Sequence, residues 1–224
     1  GAFFARLDVG VAIFFVLSGF LLSRGWLAAA ADRGAPPRAG RYAWKRFLRI
    51  APPYVITVVL ALSFIRADED LGPGRWLSTL LLLDTYRFET FPAGLTQMWS
   101  LAVEVAFYAV LPLLMRLLLG RRRLAPTRIY VGLLLMTALA LVWHLELAGR
   151  IGQGQPLQWL PAYLTWFAAG VFLATLEVLH RRGRSGRATH TLIRLAQQPG
   201  SCWVAVAGIM LVAATPLAGP VLFV

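Results

Sequence analysis

A hydroxyl, a carboxyl and a phenol recur at four-residue spacing in Trp99-Ser100-Leu101-Ala102-Val103-Glu104-Val105-Ala106-Phe107-Tyr108. On a helix, residues four apart stand one above the other, so Ser100, Glu104 and Tyr108 share a stripe with Leu111 beside it. The run stays apolar to about residue 119, long enough to cross a hydrocarbon core. A carboxyl at such depth is expensive and faces a bundle interior or a wet cavity. It is either an interhelical structural contact, to a neighbouring arginine or hydroxyl, or part of a functional site. A second group is cationic. Arg46 and Arg49 stand at i,i+3 with Lys45 beside them, just before Ile50-Ala51-Pro52-Pro53-Tyr54. Two guanidiniums on one helix face make either a phosphate clamp or an anchor for anionic lipid. The sequence shows no metal-ligand spacing, no phosphate-binding glycine loop and no Ser/His/Asp grouping.

The elements that position these residues follow from composition. Of 224 residues 58% are hydrophobic and 14% charged, and the mean hydropathy is +0.67. These values exclude an ordinary soluble domain and imply an all-α, polytopic transmembrane helix bundle, one domain over 1–224. The net charge of +12 does not imply nucleic acid, because the cations cluster between apolar segments. The single cysteine, Cys202, rules out an intrachain disulfide. The chain has no initiator methionine, opens in an apolar stretch and stops in another at Val224, which reads as an internal fragment of a longer protein.

Six full spans are expected, at about 9–26, 50–65, 99–119, 129–147, 159–179 and from 203 onward. In the first, Ser18-Gly19 is a small pair that lets a neighbouring helix approach closely. In the second, Pro52 and Pro53 fall in the expected first turn, where amide hydrogens have no helical partner anyway. The piece at 76–84 is too short to cross and reads as re-entrant or half-inserted. The segments 24–49, 116–128 and 180–194 hold seven, five and five of the 22 Lys+Arg. Read as loops, they are expected on the cytoplasmic side, with 66–75 outside. A half-inserted 76–84 keeps that parity. It also places Glu104 in the outer half, away from Arg46 and Arg49 at the cytoplasmic edge, so that a pore would have to join them.

Three blocks then carry a resemblance. Phe14-Phe15-Val16-Leu17-Ser18-Gly19-Phe20-Leu21-Leu22, Lys45-Arg46-Phe47-Leu48-Arg49-Ile50-Ala51-Pro52-Pro53-Tyr54, and Trp99-Ser100-Leu101 with Glu104, Phe107-Tyr108 and Pro112 follow one another in the order of the integral-membrane acyltransferase 3 family. Ala168-Ala169-Gly170 with Leu173-Ala174 resembles a later family helix. The resemblance implies an O-acyltransferase of the bacterial plasma membrane and cell envelope. Its donor would be a cytoplasmic acyl-CoA, used as substrate with no bound cofactor. Its acceptor would be a hydroxyl of a glycan, lipid or small metabolite. Arg46 and Arg49 match the family's R-x-x-R, proposed to engage the donor phosphates, and Glu104 matches the acid of W-S-L-x-x-E.

The chemistry requires a base to take the acceptor's proton as the alcohol attacks the thioester. A histidine is the usual choice, and a carboxylate can hold its tautomer and stabilise the imidazolium. Glu104 suits that part, with Tyr108 and Ser100 fixing its geometry and Lys45 joining Arg46 and Arg49 on the donor. The family's first helix, which carries an Arg and a His ten residues apart, is absent, so the fragment alone is expected to be inactive. His144, His180 and His190 occupy no comparable place. The family's G-V-D-x-F-F-V has Ala12 where the Asp stands, and Asp8, one helical turn earlier, is the candidate replacement. An alternative of another class is a proton-coupled transporter or exporter using Glu104, and a scaffolding bundle is a third.

Overall fold

The computed structural model describes residues 8–65, 71–87, 90–120, 124–151, 154–184, 186–200, 203–204 and 207–208. Among them every regular element is helical: α1 (Asp8–Ala31), α2 (Ala39–Phe64), α3 (Pro73–Leu80), α4 (Asp84–Arg87), α5 (Met98–Leu119), α6 (Pro126–Val142), α7 (Leu164–Arg181) and α8 (Arg187–Ala196). A π turn at Trp143–Leu147 and short 3-10 turns extend α6 and precede α7. Five stretches are long and apolar enough to cross a membrane: Gly10–Ala31, Ala39–Phe64, Met98–Leu119, Pro126–Arg150 and Leu160–Arg181. They coincide with five of the six expected spans. The sixth lies almost wholly outside the described residues, as do the acidic stretch 66–70, the arginines at 121–123 and the side chain of Asp8. The short piece before α5 resolves into α3 and α4, of eight and four residues, neither long enough to cross.

Three expectations change. The basic segment 24–49 is not a loop. Arg24 belongs to α1, Arg41 to Arg49 belong to α2, and only residues 32–38 connect them. The alanines at 28–31 prolong α1 because nothing there opposes helix, and Gly34, Pro36 and Pro37 supply the break. Pro52 and Pro53 consequently fall in the helix interior rather than its first turn. Each removes an amide donor, so the carbonyls four residues back, on Leu48 and Arg49, lose their helical partners. Within 180–194, residues 187–194 belong to helix α8. Their apolar and polar residues alternate at helical spacing with no breaker among them.

Helices α1 and α7 form the closest pair. A Cβ on Gly170 would come within 2.7 Å of the Phe20 nitrogen and 2.9 Å of the Gly19 Cα, and one on Gly19 within 2.5 Å of the Phe167 carbonyl oxygen. The backbones therefore meet directly, as small residues allow in helix pairs within lipid, and Gly19 of the Ser18-Gly19 pair makes the close approach. Around this crossing Phe15 stacks on Phe167 (4.8 Å between centroids) and Phe167 on Phe107 of α5 (3.9 Å). All three rings are fully buried. At one end the same two helices are tied by ion pairs: Arg24 to Glu177 at 2.9 Å and Arg182 to Asp32 at 2.6 Å.

This crossing yields a first prediction. Gly170→Ala must push backbone against backbone, so it should destabilise the protein by about 1–3 kcal/mol, the usual range for overpacking. Gly149→Ala, where a Cβ meets nothing within 4 Å, should leave the melting temperature in detergent unchanged. Equal melting temperatures for the two variants would remove the crossing from its central place.

Candidate functional site

Glu104 lies one to two turns into α5 and is 5% exposed. One oxygen, Oε1, accepts two hydrogen bonds. Ser18 Oγ donates across from α1 at 3.1 Å, and the Tyr108 hydroxyl donates from one turn further along α5. Burying a carboxyl is tolerable only with such partners. Ser18 reaches it because the close α1–α7 crossing fixes the roll of α1, turning Ser18 inward with Phe15 and Leu22, all buried.

The stripe expected from spacing is therefore half formed. Glu104 and Tyr108 are joined, but Ser100 is not: its hydroxyl donates to the Gln97 carbonyl at 2.9 Å, inside its own helix start. Serines near a helix end commonly bond the local backbone in this way. The hydroxyl on Glu104 comes from another helix. Ser18 was read only as half of a small pair, and spacing within α5 could not reveal that it meets Glu104.

The cations divide too. Arg46 lies about two turns into α2, and its guanidinium sits over the Tyr108 ring, 5.6 Å from the centroid, and 6.0 Å from the Tyr42 ring. Such placement is attractive, because the ring face is electron-rich, and gains strength where water is excluded. Lys45 and Arg49 are exposed and make no hydrogen bond or ion pair among the described residues. The expected distance between the carboxylate and the cationic cluster is thus absent for Arg46. The reason is helix length: starting at Ala39, α2 carries Arg46 down to the level of Tyr108.

Continuing along α5, Pro112 and Arg116 follow Tyr108 at the same four-residue step. Both line a cavity of about 700 Å³ bounded also by Trp26, Pro36, Pro37 and Gly120. Glu104, Tyr108, Pro112 and Arg116 hence mark one line from the buried carboxylate to an open cavity at the end of α5. The histidines are elsewhere. His144 Nδ1 lies 2.8 Å from the Ala140 carbonyl of its own helix, and His180 meets His190 edge to face at the α7–α8 junction. Among the described residues no group of three or more His, Cys, Asp or Glu could hold a metal.

A helical membrane bundle with a buried, hydrogen-bonded carboxylate and a guanidinium one phenol away defines a class: a membrane protein with an intramembrane polar site. The family is more specific. Residues 3–223 match the family Acyl_transf_3, described as an acyltransferase domain, and the chain belongs to this acyltransferase 3 family. It is similar to acyltransferase MdmB of Streptomyces mycarofaciens, 36% identical over 118 residues, covering 49% of this chain and 29% of that protein. It is also similar to the regulator of hypoxia-inducible factor 1 of Caenorhabditis elegans, 29% identical over 126 residues, covering 53% of this chain and 25% of that protein. The matched stretch thus spans less than a third of either relative's length. No solved structure matches.

The shared oxygen gives a test independent of activity. Ser18→Ala and Tyr108→Phe should each lower stability by about 0.5–2 kcal/mol. Because both hydroxyls act on one oxygen, their effects should not add. Strict additivity in a double-mutant cycle of thermal unfolding would show that the two bonds do not share Glu104.

Proposed function

We propose that this chain is the core of a membrane-embedded O-acyltransferase that moves an acyl group from an acyl-CoA to a hydroxyl of a glycan, lipid or small metabolite. The observation that carries this reading is the contact of Arg46 with Tyr108, whose hydroxyl donates to Glu104. It supports the reading by linking Arg46, through one phenol, to Glu104. In this proposal the phosphates of the donor lie at the cationic end of the bundle, near Lys45, Arg46, Arg49 and Arg116, on the cytoplasmic side. The thioester reaches along α5 toward Tyr108. Glu104 orients an imidazole base, supplied from outside the described residues, and stabilises its cationic form as it takes the acceptor's proton. Family membership and the likeness to an acyltransferase support the reaction class. The cavity ending at Pro112 supports the direction from which the donor enters.

The test is steady-state kinetics on the full-length protein, with variants matched to wild type in folded fraction. Glu104→Gln keeps size and loses charge, so turnover should fall far more than donor affinity, as for an interaction made mainly in the transition state. Arg46→Ala combined with Arg49→Ala should instead raise the donor KM tenfold or more, since each charge-assisted contact contributes about 1.5–3 kcal/mol. Unchanged kinetics in both would return Glu104 to a structural contact and the arginines to the positive-inside pattern. A proton-coupled transporter would lose transport, not acyl transfer, with Glu104→Gln.

A further inference from the structure

Tyr42 stands one turn before Arg46 on α2, and its ring lies beneath the same guanidinium that covers Tyr108. It packs with Tyr108 against the main core. Its hydroxyl oxygen is buried and meets no hydrogen-bond partner among the described residues. This differs from the other hydroxyls of the site. Ser18 and Tyr108 are both committed to Glu104, and Ser23, deeper in α1, donates to its own backbone at Gly19. A phenol held away from water without a partner costs free energy that a phenylalanine at the same place would not. The ring supplies the packing and the face for Arg46. The hydroxyl adds nothing to either.

We propose that Tyr42 is a further catalytic residue, the hydrogen-bond donor to the carbonyl oxygen of the acyl donor. The inference rests on the acyltransferase reading above. As the acceptor oxygen attacks, its new bond to the carbonyl carbon pushes the C=O electron pair onto oxygen, and the acceptor's proton passes to the base. The Tyr42 O–H donates to that oxyanion. Collapse restores the C=O bond and breaks the C–S bond. The CoA thiolate leaves and the proton returns to it from the base. A donor placed where charge develops acts mainly on the transition state. Arg46 is unsuited to do this, because its guanidinium is shared between two ring faces and is assigned to the donor phosphates.

The experiment uses the full-length protein in detergent, with acetyl-CoA labelled with ¹³C at the thioester carbonyl as the probe. Isotope-edited infrared spectra of bound probe should show the carbonyl stretch shifted down in wild type and returned toward its free position in Tyr42→Phe. The probe's affinity should stay within about twofold. Release of CoA thiol should slow on the order of 100-fold, the usual cost of removing one oxyanion donor. The melting temperature without probe should be unchanged or higher, since the variant removes an unpartnered buried hydroxyl. A merely structural hydroxyl would give the opposite: a lower melting temperature and an unmoved carbonyl stretch. Either of those results overturns the assignment. Failure of wild type to bind acetyl-CoA would overturn the acyl-CoA reading itself, and this inference with it.

Discussion

The direct meeting of α1 and α7 backbones at Gly19 and Gly170 is the constraint on which the rest depends. Lipid tails are as apolar as leucine, so helices in a bilayer gain little from hiding apolar surface and must pack by close approach. The glycines permit that approach. It stacks Phe15, Phe167 and Phe107 into a column that draws in α5, and it turns Ser18 toward Glu104. The carboxylate then holds Tyr108, and the Tyr108 ring holds Arg46 of α2. A packing contact thus propagates, one side chain at a time, into the placement of a charge.

That order also explains why the polar cluster is concentrated. A carboxyl and a guanidinium within a bundle each need partners, and every partner must be polar in turn. Two hydroxyls on one carboxylate oxygen, and two ring faces on one guanidinium, are economical answers that bring few extra polar atoms into the apolar interior. A second polar cluster is kept apart. There Arg75 approaches Asp84 at 3.7 Å, the Tyr54 hydroxyl donates to the Thr79 carbonyl, and Trp159 Nε1 donates to the Thr85 carbonyl at 2.8 Å. These contacts fasten α3 and α4, too short to stand alone, onto α2 and onto the segment before α7.

The spans were legible because hydropathy over about twenty residues depends little on context. Glu104 and Tyr108 were legible because both lie on one helix, where spacing alone decides who shares a face. What spacing could not give was any relation between helices. Ser18 reaches Glu104 through the roll of α1, which Gly170, far along the chain, determines. Ser100, on the predicted stripe, was lost to its own backbone at Gln97. Tyr42 and Arg46 were read as the edge of a cytoplasmic loop because the charges looked like loop. A helix that starts at Ala39 tolerates them well, since Arg, Lys and Tyr have no strong aversion to helix.

One line on α5 binds these observations together. Glu104, Tyr108, Pro112 and Arg116 each lie four residues apart, about 6 Å of rise per step at 1.5 Å per residue. Four residues exceed one turn by about 40°, so the line winds around the helix as it descends. It therefore faces α1 at Glu104, where Ser18 meets it, and faces the α1–α2 connection at Arg116, where Pro36 and Pro37 close the cavity. Pro112 sits between and offers no amide hydrogen, which leaves the Tyr108 carbonyl without its helical donor. The winding line is polar at Glu104, Tyr108 and Arg116, while the flanking α5 positions Val103, Phe107, Leu111 and Met115 are fully buried and apolar. A line of side chains that begins at a buried carboxylate and ends at an open cavity follows from the mismatch between four residues and 3.6.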